Sequence, residues 1–280
     1  MQPAALYIHF PFCRHKCVYC DFYSIVELEH RSRFVEALLR EIDWQAGHTP
    51  FAGYDFSTLY IGGGTPSLLE PADLERIYAK LLQRFRFSNS LEFSLEANPG
   101  TIVDDRLVEY RRLGVNRLTL GVQSFVDAEL KMLTRIHSAE KALASIRNAQ
   151  QAGFDNMGID LIFGLPNQTL ETWRQSLEIA CGLDVQHISM YGLTYEPGTP
   201  LTRMAKSGTV SPLEDALERD MYVLGKSMLE AVGFEHYEIS NFARPGRRSR
   251  HNQAYWNGTP YLGLGPSAHS FYDSTRCWNT

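Results

Sequence analysis

Three cysteines fall close together near the start of the chain, in the stretch YIHFPFCRHKCVYCDF that covers residues 7–22. Cys13, Cys17 and Cys20 stand in the spacing C-x3-C-x2-C, which lets three thiolates reach one centre from a single loop. Soft thiolates select zinc or iron–sulfur clusters. A zinc site closes its fourth position with another cysteine or a histidine, and His15 inside the loop and His9 just before it are available by sequence. An iron–sulfur cubane held by three cysteines leaves one iron without a protein ligand, a handicap for electron transfer but an opening for a small chelating molecule. On the cysteines alone both readings stand. Of the other two cysteines, Cys181 in the apolar LEIACGL reads as a buried, inert thiol, and Cys277 is assigned nothing.

Such a loop needs a rigid support, and the chain supplies one by repetition. Short runs rich in apolar and β-branched residues at 4–9, 57–63, 90–98, 115–122, 155–163 and 185–193 read as strands. Helical patterns lie between them at 31–46, 71–84, 104–113, 126–133 with 139–152, and 169–182. This alternation implies parallel strands joined by right-handed helical crossovers. Six units are too few to close an eight-fold barrel, so the expected fold is α/β, a partial (β/α)6 barrel. In such barrels chemistry collects at the carboxyl ends of the strands. There the sequence places the cysteines after the first strand, GGGTP (62–66) after the second, Glu96 with ANP ending the third, GVQSF (121–125) after the fourth and DLIFGLP (160–166) ending the fifth.

Composition narrows the function classes. At 280 residues with 44% hydrophobic and 21% charged residues, the chain reads as a soluble globular protein. A net charge of −5 gives no basic footprint for nucleic acid. No run approaches the ~18–20 apolar residues of a membrane span, and the first residues lack a signal-peptide pattern. Five cysteines are too few for a disulfide framework. A cytoplasmic location is expected, with peripheral membrane contact left open.

Taken together, C-x3-C-x2-C with Tyr19 before its last cysteine, followed by GGGTP after the second strand, resembles the radical S-adenosylmethionine superfamily. The resemblance implies a [4Fe-4S] cluster on Cys13, Cys17 and Cys20 whose open iron chelates the amino and carboxylate groups of S-adenosyl-L-methionine. In that family an electron from the reduced cluster cleaves the sulfonium to methionine and a 5′-deoxyadenosyl radical. Within the superfamily the chain is similar throughout to the branch holding oxygen-independent coproporphyrinogen III oxidase (HemN) and the heme chaperone HemW. By that resemblance Tyr7 and Tyr19 would flank the cofactor, and Gly63, Gly64 and Thr65 would meet its amino end, where a missing Cβ allows close approach. Glu96 would accept hydrogen bonds from it, and Gln123, Arg135 and Asp160 match positions that hold a second such molecule in the oxidase.

Three features separate the two sides of the branch. The oxidase carries a further cysteine two residues after the third, where this chain has Phe22. It also has a long segment ahead of its cluster, whereas here the first ligand is Cys13. The stretch RHNQAYWNGTPYLGLGPSAHS (250–270) resembles the HNxxYW signature of the chaperone side. The implied cargo is heme, with His251 as an axial ligand, Tyr255 and Trp256 as stacking faces and His269 as a second candidate. The implied partners are heme-accepting respiratory proteins and an electron donor. The expected organisation is a core barrel over 1–200 and, over 201–280, a linker with the start of a C-terminal region, the chain reading as truncated in mid-pattern. A coproporphyrinogen III dehydrogenase and a zinc-stabilised binding module are the alternatives.

Overall fold

The computed structural model describes residues 2–102 and 104–280. In chain order the first part runs β1 (Pro3–Phe10), α1 (Arg31–His48), β2 (Asp55–Gly63), α2 (Pro71–Arg84), β3 (Arg86–Ala97), α3 (Asp104–Arg112), β4 (Arg117–Gln123), α4 (Asp127–Met132), α5 (Ala139–Gln151), β5 (Met157–Phe163), α6 (Leu170–Gly182) and β6 (His187–Gly192). The six strands lie side by side in sequence order, each parallel to the next. Local chemistry sets the helix starts. Pro71 occupies the first turn of α2, Ser138 caps α5 through the Lys141 amide, and Thr169 forms a reciprocal capping box with Thr172 at α6. Leu74, Ile77 and Leu81 give α2 one buried face at helical spacing.

The strands have two chemically different faces, as a period of two requires. Leu6 and Ile8, Leu59 and Ile61, Phe93 and Leu95, Leu118 and Leu120, Ile159 and Leu161, and Ile188 and Met190 are all buried in one core cluster. The alternate residues are polar: Tyr7, Tyr60, Glu96, Arg117, Thr119, Asp160, His187, Ser189 and Tyr191 line a cavity of about 300 Å³. The barrel therefore has an apolar outer face and a polar lumen, which suits a binding vessel more than a packed core.

The rest of the chain comprises α7 (Pro200–Lys206), α8 (Asp215–Ala231), β7 (Glu235–His236), β8 (Asn241–Ala243), α9 (Arg250–Trp256), β9 (Tyr261–Leu264), β10 (His269–Tyr272) and β11 (Thr275–Trp278). These residues extend the sheet at both edges, giving the order β11-β10-β9-β1-β2-β3-β4-β5-β6-β8-β7. β8 runs antiparallel to β6, whereas β9 runs parallel to β1 and carries the antiparallel β10 and β11 outward. Helix α8 approaches β6 so closely that a Cβ on Gly225 would collide with the Met190 sulfur. The Trp173 indole of α6 donates to the Met221 carbonyl of α8 at 2.9 Å. Eleven strands in one open sheet agree with the partial barrel expected from sequence, extended beyond its six strands.

Candidate functional site

The cysteine loop is tied to the ends of β1 and β2 by backbone. Cys13 donates to the Ile25 carbonyl at 2.9 Å, and Ile25 donates to that of Pro11 at 2.8 Å. From the glycine turn, Gly64 donates to Phe10 and Thr65 to Phe12, both at 2.8 Å. A side chain on Gly64 would place its Cβ 2.7 Å from the Phe12 oxygen and 2.9 Å from the Phe10 oxygen. The absence of a Cβ there lets two strand ends meet. Gly63 has φ +109°, and a Cβ on it would strike the His9 ring.

The loop and the strand ends enclose a cavity of about 640 Å³. Of the positions singled out by sequence, Cys13, Cys17, Cys20, Tyr19, Gly63, Gly64, Thr65, Glu96, Gln123, Arg135 and Asp160 line it. Tyr7 does not. It sits in the adjoining luminal cavity with its hydroxyl 3.2 Å from His9 Nδ1.

The donor set fits a thiolate-ligated cluster better than a single metal ion. Thr65 Oγ1 donates to Cys13 Sγ, and Arg135 Nη1 donates to Cys17 Sγ, both at 3.5 Å. Such donors compensate thiolate charge and tune a cluster's potential. Among the described residues, no three His, Cys, Asp or Glu side chains stand close enough to share one ion. Zinc would draw four ligands to within about 2.3 Å of one centre, whereas a cubane spreads its cysteines over separate irons. Both histidines available to a zinc reading are also engaged. His9 Nε2 lies 2.7 Å from the Tyr23 carbonyl, and His15 Nε2 lies 3.1 Å from Thr134 Oγ1. Burial pushes the Cys13 thiol up and Cys20 to about 11, so a metal charge is what would make these groups thiolates.

Opposite the thiols, Glu96 accepts from the Tyr60 hydroxyl at 2.8 Å and from the Gly63 amide at 3.2 Å. Burial pushes Glu96 up to about 7 and Asp160 up to about 6. Two buried carboxylates facing one cavity suit a cationic ligand such as an ammonium or a sulfonium, whose charge would restore both to their ionised forms. Gln123 holds a left-handed φ of 71° at the end of β4, beside a register shift in the β4–β5 pairing. Strain of that kind costs on the order of 1 kcal/mol or more and serves to aim a side chain.

Sequence reasoning missed Asn98. Its Nδ2 donates to Thr65 Oγ1 at 2.9 Å, while its Oδ1 accepts from Arg135, which also donates to the Gly121 carbonyl at 2.7 Å. One amide thus joins the two residues that contact Cys13 and Cys17. Its place in EANPG, directly at a strand end, was the available signal. Arg117 is fully buried, donating to Asn156 Oδ1 and the Arg247 carbonyl at 3.1 Å each. A lone cation inside the apolar run VNRLTLGV marks such a residue.

His251, which the resemblance gives as a heme ligand, is held inside the fold by its surroundings. Only 1% of it is exposed. Its Nδ1 lies 2.8 Å from Thr58 Oγ1 and its Nε2 lies 2.9 Å from the Tyr255 hydroxyl. Its ring stacks on Tyr60 at 4.9 Å, and Glu92 accepts from its backbone amide at 3.1 Å. The HN pair therefore opens α9, capped by Ser249 and Glu92, and His251 fastens that helix to β2. Burial lowers its pKa to about 3 from the usual 6.5, so it is neutral when folded. The unfolded chain takes up this proton first, so its contribution is whole above pH 6.5 and is lost as pH falls toward 3. His251→Ala should destabilise the protein by about 3 kcal/mol, through the lost stack and the two hydroxyls left unpaired. Urea unfolding at pH 7.5 measures this, and a change under about 0.5 kcal/mol, the range of surface substitutions, would contradict the packing role.

The Glu96 reading also gives a pH dependence. With its pKa near 7, the carboxylate is about one-tenth ionised at pH 6 and about nine-tenths at pH 8. Affinity for S-adenosylmethionine should therefore rise roughly tenfold across that range, and Glu96→Gln should flatten the rise. Equilibrium dialysis of both proteins measures it. The ligand's own amino group titrates identically in the two series, so a slope shared by both would remove Glu96 from the account.

A parallel open barrel with a three-thiol loop at its carboxyl rim, facing buried carboxylates across one cavity, defines a radical S-adenosylmethionine protein. The model of the Radical SAM superfamily matches residues 7–180. The chain is 38% identical to the heme chaperone HemW of Synechocystis sp., over 99% of this chain and 68% of that protein. It is 39% identical to heme chaperone HemW of Escherichia coli, over 96% and 70%. Among solved structures, coproporphyrinogen III oxidase (HemN) from Escherichia coli, described as a radical SAM enzyme, superposes with a TM-score of 0.82 at 30% identity, over 96% of this chain and 64% of that one. The chain belongs to the radical SAM superfamily and, within it, to the family of the heme chaperone HemW. It spans about two thirds of the length of these relatives.

Proposed function

We propose that this chain is the cluster- and S-adenosylmethionine-binding part of a heme chaperone, which takes up heme as cargo and hands it to respiratory heme proteins. The observation that carries this reading is the single cavity where three thiols, the glycine turn, Glu96, Gln123, Arg135 and Asp160 meet. It is supported by 34–39% identity to HemW proteins from several bacteria. Cys13, Cys17 and Cys20 would hold a [4Fe-4S] cluster, with Thr65 and Arg135 donating to two of the sulfurs. Glu96 and the turn at Gly63–Thr65 would bind and orient S-adenosylmethionine, and Asp160, Gln123 and Tyr19 would complete the wall. When bound, the cluster supplies one electron at a potential low enough to activate the sulfonium. Within this reading 1–200 is the core and 201–280 leads toward a C-terminal region, joined to the core through the sheet edges. Among the described residues no helix is long and apolar enough to cross a membrane; we place the protein in the cytoplasm, where an electron donor and heme acceptors would meet it.

The fold likeness to coproporphyrinogen III oxidase sustains a second reading, radical decarboxylation of coproporphyrinogen III. Against it stands Phe22, 63% exposed at the position where a further cysteine is expected of the oxidase. Two anaerobic assays on cluster-loaded protein decide between them. Heme titration should give a saturable Soret shift, and coproporphyrinogen III with S-adenosylmethionine and a reductant should yield no vinyl product. Vinyl formation without heme uptake would promote the oxidase reading.

A further inference from the structure

His251 is buried within α9 with both ring nitrogens hydrogen-bonded, whereas a further cavity of about 740 Å³ is lined by a different histidine, His269. It opens between the end of β1, the tip of the cysteine loop at residues 21–23, and the β9–β10–β11 extension. Its size is that of a site for a large organic ligand. The strand register explains its chemistry. His269 and Phe271 lie two apart on β10 and so share a face, and they pair across the ladder with Trp278 and Arg276 of β11. Phe271 packs on Tyr261 at 6.0 Å between ring centres, and Tyr261 packs on Tyr255 at 4.8 Å. One wall is thus aromatic, with an imidazole and a guanidinium set beside it.

The histidines near this cavity differ in what occupies their nitrogens. His9 and His251 have both ring nitrogens in hydrogen bonds. His269 makes none: its buried Nδ1 has no partner, and its ring only meets Trp278 at 5.9 Å. Burial, with repulsion from Arg276, lowers its pKa and so favours the neutral imidazole that metals bind. We propose that heme sits in this cavity with His269 as axial ligand to its iron, the ring against Phe271 and Tyr261, and a propionate paired with Arg276. This inference rests on the heme-chaperone reading and assigns its cargo a place. The same cavity is lined by Asp21, Phe22, Gly63 and Glu96, which also line the cofactor cavity. Cargo and cofactor then share a wall, and Glu96 stands between a cation on one side and heme on the other.

The test uses the cluster-loaded protein under anaerobic conditions, titrated with hemin and followed by Soret absorption and electron paramagnetic resonance. His269→Ala should weaken binding at least tenfold and abolish the imidazole-ligated spectrum, which added free imidazole should restore. His269→Cys should replace that spectrum with one of thiolate ligation, a change that only a residue at the iron can produce; it serves as the readout should the alanine variant fail to fold. Arg276→Ala should weaken binding several-fold without altering the ligation spectrum. If the parent takes up no heme, the heme-chaperone reading fails, and this site with it. If the parent binds heme and both His269 variants keep its affinity and spectrum, only the placement of the heme is overturned.

Discussion

Alanine at Cys13, Cys17 or Cys20 should leave a protein without its cluster, where the parent, reconstituted anaerobically, is brown and holds about four irons and four sulfides per chain. Each cysteine would ligate one iron of the proposed cluster, and the two nearby histidines, His9 and His15, are engaged with Tyr23 and Thr134. Cys181 and Cys277 serve as controls, because neither lines the cavity and their alanine variants should keep full iron. Iron and sulfide analysis of the five variants measures this. A colourless parent holding one tightly bound zinc would restore the zinc alternative.

Gly64→Val should be nearly as damaging for a different reason. Its Cβ would lie within 3 Å of two carbonyl oxygens of the Phe10–Phe12 segment, so β2 and the cysteine loop must separate and the hydrogen bonds from Gly64 and Thr65 must break. Overpacking against backbone that cannot yield costs about 3 kcal/mol, and the loop that presents Cys13 loses its anchor. The variant should unfold at lower urea and retain under half of the parent's iron. Gly53→Ala, where a Cβ meets nothing within 4 Å, should change neither. A stable Gly64→Val protein with full iron that failed only in binding S-adenosylmethionine would instead make the glycine a pure ligand contact.

Much of this is legible in the sequence because period-two alternation and turn chemistry are local. The six parallel strands and the rim that collects the cysteines, GGGTP, Glu96, Gln123 and Asp160 follow from runs long enough to show their period. β7 to β11 were not legible: they are two to four residues long, and their pairing with β6 and β1 is a tertiary fact with no local signature. The place of His251 was hidden for a related reason. An HN pair at a helix start reads the same whether exposed or buried, and the partners that bury it, Thr58 and Glu92, lie 193 and 159 positions away. Asn98 was overlooked because a strand-end amide is ordinary until its two neighbours, Thr65 and Arg135, are seen to touch the thiols. The polar lumen was within reach of the sequence, since Arg117 and Thr119 on β4, and His187, Ser189 and Tyr191 on β6, alternate with apolar residues at a period of two.

If the protein carries heme to an acceptor, heme transfer is the most direct measurement of it. Cluster-loaded, heme-loaded protein is mixed anaerobically with an apo heme protein of the respiratory type, and the acceptor's Soret band is followed against the same amount of free heme. Transfer should be saturable and one-to-one, should depend on S-adenosylmethionine or the cluster, and should be lost in Cys13→Ala. Transfer no different from free heme, with conversion of coproporphyrinogen III by the same preparation, would contradict it.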